Sequence, residues 1–499
     1  MTKLKRWSRK ILVMKAPFAA SVLVPFYIIA AAGISHACSN FSHCFAVAEG
    51  FAVAVSFAAT TGLLTGPAVA PKLSLERGGL VFRGFGVTEQ SSAGRSRPQL
   101  ARRLNLPLLV LYGLGVTVGA GIYVLIGEIG HAAGVFSPYA FLLAAFLIAP
   151  TTYSFAKLVV RFPVSAGEAR YVEEGYRQKW LAVVIGLLVA SAGIVSSATI
   201  SVGSIGYVQE FVSIPSPLLV TLIIAIFTGL AILGIQASAI TAAVLTLIEV
   251  GGLLLIIGGG FVSDTPAIWA GMKAPFATFE FHAIGLIGAS AVLAFYAFIG
   301  FEDMVNVAEE VKEPERIFPP AIAITLLVTV VLYFLVSTIS ISLVGQEELG
   351  KAGAPISLIA ERTGLISPDL LSGIGVLAAL NGILIQIIMA SRVLYGLSRQ
   401  AEMPQFLSYV HPRTHTPVTA TVIVAAITLA LALIFPLARL AETTSQITFV
   451  VFALVNGALI AITLREAGWR LTNVPSIQII AIPALGTFGS VALMLVSLI

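Results

Sequence analysis

The chain has 499 residues, of which 58% are hydrophobic and 11% charged, with a mean hydropathy of +0.98. Soluble domains carry about 25% charged residues, so this composition excludes a soluble globular protein and marks a polytopic membrane protein. The net charge of +5 would suggest nucleic acid in a soluble chain, but here the basic residues gather in connections on one side of the apolar spans. Two cysteines, Cys38 and Cys44, exclude a disulfide framework or a Cys-rich zinc site in the main body.

Residues 1–86 read differently from the rest. Lys3, Lys5, Arg6, Arg9, Lys10 and Lys15 precede an apolar run from Pro17 to Ile34, and a second run, Phe45 to Ala70, is interrupted by Glu49. The pattern fits a long signal peptide, a helical hairpin with its N-terminus inside, or an extension not native to the protein. His36, Cys38, His43 and Cys44 match no standard zinc spacing, so no metal site is expected. Residues 87–104 form a polar, basic tail, and Val87 can be read as a start encoded by GTG. Residues 1–86 are therefore expected to be dispensable.

From residue 105 onward eleven spans are expected, at 106–129, 138–160, 180–212, 217–235, 239–261, 284–308, 319–344, 369–397, 418–438, 444–464 and 475–498. The first is long enough to cross a hydrocarbon core of ~30 Å, yet it carries Gly113, Gly115, Gly119, Gly121 and Gly127. Glycine costs roughly 1 kcal/mol against alanine inside a helix. Such a span either breaks to aim bare N–H groups at an anion or lets a neighbouring helix approach closely. No strand precedes the glycines, which argues against a dinucleotide fingerprint.

With the basic tail inside, the inner connections carry Arg95, Arg97, Arg102, Arg103, Lys157, Arg161, Arg170, Arg177 and Lys179. Lys312, Arg316, Arg392, Arg399, Arg413, Arg465 and Arg470 continue that side, against Lys273, Lys351, Arg362 and Arg439 outside. The positive-inside rule therefore puts the tail and the loops after spans two, six, eight and ten in the cytoplasm, for a multi-pass protein of the cell membrane. This distribution also removes the nucleic-acid reading.

The sixth span, AVLAFYAFIGFEDMVNVAEE, is again interrupted, at Gly300. Breaks in the first and sixth of ten spans occupy corresponding places in two five-span halves, the signature of an inverted repeat with a midplane site. Packing glycines alone do not predict that correspondence. The expected fold is an all-α integral membrane protein: a five-plus-five inverted-repeat core, discontinuous helices one and six, and at least one further helix.

Four segments in order resemble the amino acid–polyamine–organocation (APC) superfamily. GVTVGAGIYVLIGE resembles its first-helix signature, and FYAFIGFEDMVNVAEEVKEPERIFPPAI its sixth helix and following loop. RFPVSAGEARYVEEGY resembles the loop after helix two, and ASRVLYGLSRQAEMPQFLSYVHPRTHTPV the end of helix eight. The likeness runs from about residue 99 to the C-terminus and is greatest to amino acid permeases, including the cationic amino acid transporter branch. The chain departs from the family in showing eleven spans where twelve are usual, and in residues 1–86. The resemblance makes residues 105–499 a transporter domain.

The resemblance implies a site for an amino acid zwitterion at the two breaks. The N–H groups of Ala120 and Gly121 would receive its carboxylate, and the carbonyls of Thr117, Tyr296 and Ile299 its ammonium. Val118, Gly119, Ile122, Ala297 and Gly300 complete the two binding stretches. Tyr296 and Phe298 are candidate aromatic lids, or else core or lipid-facing aromatics. The resemblance places Gln386 near the side-chain pocket, although a buried amide such as Gln386 or Asn381 also serves to bridge helices. Glu302, Asn306 and Glu309, with Asp303 and Glu310 as a second row, cannot all face lipid and are expected to line an inner vestibule. Glu249 stands alone near the centre of span five, where some relatives place a lysine. Glu249 and Glu302 are the candidates for coupling and gating, with a hydrogen bond to a neighbouring helix the structural alternative for Glu249.

The function implied is secondary active transport of amino acids or related organocations by alternating access, with proton coupling as one open alternative. An exchanger and a sensor without net transport are the alternatives. The partners implied are a small-molecule amino acid substrate, a proton and the lipid bilayer, with no cofactor. An intramembrane enzyme is disfavoured, because His131, His282, His411 and His415 sit near span ends and the body has no cysteine.

Overall fold

The computed structural model describes residues 104–497 except 165–166, 234–238, 278–280, 400–402, 413, 415 and 471–476. The extension 1–86, its His/Cys cluster and the tail up to residue 103 lie outside the described residues. Among the described residues every regular element is helical, and the β-bridge Leu104–Val311 is isolated. Eight helical stretches have the length and composition to cross a membrane. One of these, Leu106–Arg161, runs through two helices, and the shorter apolar helices Ala283–Tyr296 and Val418–Ile434 stand beside them.

The first two helices are α1 (Leu106–Ala133) and α2 (Ser137–Arg161). The Asn105 side chain caps α1 by accepting from the Leu108 N–H at 3.1 Å, and Gly134 ends it at φ 53°. A short helix α3 (Gly167–Tyr176) precedes α4 (Lys179–Gly203), α5 (Ile205–Gln209) and α6 (Ser216–Leu233). Next come α7 (Ala239–Ala277) and α8 (Phe281–Tyr296), and beyond the second break a 3-10 helix over Glu302–Glu310. The second half of the chain continues with α9 (Pro314–Leu343), α10 (Gln346–Lys351), α11 (Pro355–Thr363) and α12 (Pro368–Arg399). The last three are α13 (Val418–Ile434), α14 (Leu437–Glu466) and α15 (Gln478–Val496).

Several boundaries differ from the sequence expectation, each for a local reason. Helix α7 runs past residue 261, because Asp264 leaves the helical conformation and its carboxylate accepts the Ala267 N–H at 2.9 Å. That contact, with Pro266 just after it, starts a second helical piece. Pro436 lies between α13 and α14, ending the ninth span earlier and starting the tenth sooner than hydropathy suggests. The short α3, α10 and α11 are too polar to register as spans.

α1 is the centre of the bundle, in contact with α7, α8, α9 and α12. Its own Leu125 and Ile126, like Phe141 of α2 and Phe298 beyond α8, are fully buried. Phe146, Ile226, Val262, Leu327 and Phe488 instead point outward, a surface suited to lipid tails. Asn456 of α14 holds α2 through Ser154 Oγ and Thr151 Oγ1, at 2.5 and 2.9 Å. Satisfying such a buried amide is what makes it tolerable in an apolar bundle.

Candidate functional site

The two predicted breaks are present, and they meet. Gly119 departs from helical geometry with φ −37° and ψ −111°. On the opposing strand of chain, α8 stops at Tyr296, and residues 297–301 turn before the 3-10 segment. A Cβ placed on Gly121 would lie 2.8 Å from Ala297 Cα, and one on Gly300 would lie 2.8 Å from the Val116 carbonyl. Only glycine permits backbone to approach backbone this closely.

Tyr333 of α9 joins the breaks, its hydroxyl 2.8 Å from the carbonyl oxygens of both Thr117 and Ala297. On the second break, Glu302 turns back and accepts the Gly300 N–H at 2.8 Å. Gly300 has φ +131°, a region essentially confined to glycine. Gly300→Ala is therefore expected to cost about 1–3 kcal/mol of backbone strain and to collide with Val116. A thermal melt of the purified variant should show a lowered transition, and an unchanged one would mean that the turn relaxes freely.

Two small cavities adjoin the breaks. The smaller, about 20 Å³, is bordered by Gly115, Val116 and Gly121 of α1, Ser196 of α4, Tyr296, Ile299 and Gln386. The larger, about 30 Å³, lies beside it and shares Ser196, Ile299 and Gln386. Each has room for a water or two, so an amino acid would require the surrounding helices to separate. Tyr296 bonds Ser196 across the smaller cavity at 3.0 Å.

The predicted site residues divide into two sets. Gly121, Tyr296, Ile299 and Gln386 border the smaller cavity. Val118, Ile122, Ala297 and Phe298 are fully or nearly fully buried in the apolar core. Phe298 has its ring between Phe141 and Tyr333, at 6.4 and 5.1 Å between centroids. Thr117 is buried, and its backbone oxygen already accepts Tyr333. The Tyr296 carbonyl likewise accepts the Ile299 N–H at 3.0 Å, although each carbonyl keeps a second lone pair.

Glu249 on α7 stands directly behind the first break. Its Oε2 would lie 3.7 Å from a Cβ at Gly119, and its backbone oxygen accepts Tyr123 Oη at 2.6 Å. The side chain is fully buried. Neither carboxyl oxygen has a hydrogen bond of ordinary length among the described residues, and Asn381 of α12 is the polar side chain turned toward it.

Around the larger cavity stand Glu302, Asp303 and Glu168. Asp303 is approached by Gln386 Nε2 at 3.5 Å. Burial pushes the Glu168 carboxyl up to about 8, and the nearby Asp303 charge adds to the effect. The expected α-helical spacing of Glu302, Asn306 and Glu309 gives way to a 3-10 turn, which changes which residues share a face. The side chains of Asn306, Glu309 and Glu310 lie outside the described residues.

Sequence reasoning did not pick out Glu168, Ser196 or Tyr333 as site residues. A tyrosine in VVLYFLV and a serine among small residues are ordinary within a span. Glu168 follows a glycine in a short amphipathic segment, with nothing local to signal its burial.

Comparison with known proteins identifies the family. The amino acid permease family profile matches residues 104–499. The chain is 31% identical over 378 residues to the vacuolar cationic amino acid transporter 4 of Arabidopsis thaliana, covering 72% of this chain and 62% of that protein. It is 28% identical over 433 residues to a branched-chain amino acid permease of Bacillus subtilis (strain 168), covering 81% and 91%. With a methylthioribose transporter of the same bacterium it shares 26% over 422 residues, covering 79% and 89%. The chain thus spans about three fifths of the length of the first plant relatives. The chain belongs to the amino acid permease family, within the APC superfamily.

Proposed function

We propose that this protein is a secondary active transporter of amino acids or related organocations, working by alternating access. The observation that carries the proposal is the meeting of two chain breaks at the centre of an all-helical membrane bundle, beside cavities bordered by Gly121, Tyr296, Ile299 and Gln386. Peptide groups released from helical bonding at such breaks suit a zwitterion, which needs N–H donors for its carboxylate and carbonyls for its ammonium.

In this reading α1, α2, α4, α6 and α7 form one repeat. The second comprises α8 with Glu302–Glu310, then α9, α12, α13 and α14, and α15 lies outside both. The two broken helices rock against a scaffold of α4 and α12. Close contact of α4 with α12 supports that division.

Contacts at the two ends of the bundle support the proposed topology. Arg161 pairs with Glu466 at 3.0 Å, and Arg465 donates to the Glu174 and Gly175 carbonyls. The Lys312 N–H donates to the Leu104 carbonyl at 3.2 Å. These contacts join the loops after spans two and ten to each other, and the end of the tail to the loop after span six, and the basic charge of these segments suits the cytoplasmic side. Elsewhere, Tyr207 donates to the Tyr123 carbonyl and accepts the Ile356 N–H, tying α11 to α1.

Glu249 is the proposed proton carrier, and its support is burial beside Gly119 with no hydrogen bond of ordinary length to either carboxyl oxygen among the described residues. The test is uptake of labelled amino acids into proteoliposomes with and without an imposed pH difference. Accumulation driven by the gradient is expected. Exchange without accumulation would mark an antiporter, and binding with neither would mark a sensor.

A further inference from the structure

We infer that a row of buried hydroxyls on α9, Thr325 and Thr329 with Tyr333 above them, holds a file of water molecules along which a proton passes between Glu249 and the inner end of the bundle, where α1 and α9 begin. The inference deepens the reading of Glu249 as proton carrier and rests on it.

Helices α1, α7 and α9 pack against one another, and the seam they share is polar as far as the first break. Its register is read at the glycines of α1. A Cβ on Gly113 would lie 2.8 Å from Thr325 Oγ1 of α9, and the bare Gly115 admits Thr246 Oγ1 of α7. Next, the Thr117 carbonyl accepts Tyr333 of α9 at 2.8 Å, and Glu249 of α7 stands behind Gly119. Positions 113, 115, 117 and 119 thus meet three hydroxyls and then a carboxyl, in order from the start of α1 toward its break. Thr329 lies one turn above Thr325 and one below Tyr333, on the face of α9 that both turn to α1.

The hydroxyls themselves supply the independent observation. In an apolar helix a Ser or Thr hydroxyl can bond the carbonyl four residues back, and three on α9 do so. Thr338 donates to Phe334, Ser340 to Val336 and Ser342 to Thr338, at 2.7, 2.6 and 2.7 Å. Thr325 and Thr329 are fully buried, as is Ser337 one turn beyond Tyr333, yet their hydroxyls have no hydrogen-bond partner among the described residues. Thr117 Oγ1 of α1, in a residue 2% exposed, has none either. A buried hydroxyl left so is costly, and folded proteins meet such groups with water or an ion.

The spacing selects water. Hydroxyls one turn apart are about 6 Å apart along the axis, at a rise of 1.5 Å per residue. One water making two hydrogen bonds of ~2.8 Å spans that distance. A metal cation needs its oxygens drawn in to ~2.0–2.6 Å, which successive turns of one helix do not provide. Hydroxyls both donate and accept, so the waters they hold can orient either way along the row. On release, one proton leaves the Glu249 carboxylic acid, each water passes one on as it receives one, and a hydronium ion emerges at the inner end. The carboxylate remains, and binding reverses the sequence.

Tyr123 of α1 and Tyr333 of α9 are the titratable groups in electrostatic contact with Glu249, and Asn381 of α12 is the polar one. On α11, which also packs against α7, Glu361 and Arg362 are exposed. Neither cavity beside the breaks is bordered by α7 or α9, so proton and substrate reach the centre from different sides of α1. Met304, fully buried on the 3-10 segment, meets Gly113 beside Thr325 and closes the inner end of the row in this conformation. That segment belongs to the second break, so the movement that opens the substrate path inward also opens the row.

The test is accumulation of a mixture of the twenty labelled amino acids in proteoliposomes under an imposed pH difference, with equilibrium binding measured beside it. Thr325→Val and Thr329→Val keep the side-chain shape and delete the hydroxyl. Each should slow the initial rate of pH-driven uptake roughly tenfold, the scale of one lost hydrogen bond, while substrate binding is unchanged. Thr329→Ser restores the hydroxyl and should recover the rate. Should Thr329→Val fail to fold, Thr325→Val carries the test. A hydroxyl that stands dry is relieved by valine, so a variant that melts higher and takes up substrate at the wild-type rate overturns the proposal. A loss that serine does not restore reports packing and overturns it too. Wild-type accumulation by the folded valine variants, with Glu249→Gln unable to accumulate, removes the water file and leaves Glu249 as the carrier. Absence of pH-driven accumulation in the wild type overturns both readings together.

Discussion

Gly121→Leu is expected to abolish amino acid binding while leaving a folded, membrane-inserted protein. The position faces the second break so closely that a Cβ would lie 2.8 Å from Ala297 Cα and 3.1 Å from its carbonyl oxygen. These are backbone atoms and cannot swing aside as a flexible side chain would. A branched side chain must therefore drive the two breaks apart, displacing the carbonyls and N–H groups proposed to hold the substrate. The rest of α1 keeps its contacts with α7, α9 and α12, so the damage stays local. Gly121→Ala adds only the Cβ and should show a graded loss. Binding isotherms with a size-exclusion profile of each variant give the answer. A leucine variant that binds and transports as the wild type does would mean that the glycine serves helix packing alone.

Glu249→Gln should retain substrate binding and exchange but lose accumulation driven by a pH difference. A lone carboxylate within the hydrocarbon region is costly unless protonated, solvated or paired. Glu249 is fully buried behind the Gly119 break, and its oxygens lack hydrogen bonds of ordinary length among the described residues. Alternating access would open that position to one side and then to the other. Coupling further requires that the two protonation states favour different conformations, because a ligand of equal affinity for both shifts nothing. Glutamine keeps the shape and the neutral charge of the protonated form, so the conformational cycle should continue without its proton. Glu249→Asp should keep partial coupling, and Glu249→Lys tests whether a fixed positive charge at this position supports transport. Uptake by Glu249→Gln as steep in pH as that of the wild type would make the residue structural and pass the role to Glu302.

The apolar spans and the two breaks were legible in the residues themselves, because both arise from local causes. Membrane-length runs must satisfy their own backbone, and glycine clusters in mid-span mark where that rule is relaxed. Gly119 and Gly300 were found this way, and the family motifs named the same stretches. Boundaries shifted where a single side chain or proline intervened, as at Asp264 and Pro436. The tertiary structure alone decided which polar groups converge. Tyr333 reaches the breaks from α9, more than 200 residues after Thr117. Glu168 enters the cavity from a short connecting helix. Phe298, legible as an aromatic beside the break, turned into the core against Phe141 and Tyr333. Span periodicity is set within a few turns of chain, whereas a site in a bundle is made by side chains from helices far apart in sequence. Only their packing brings these groups within reach of one another.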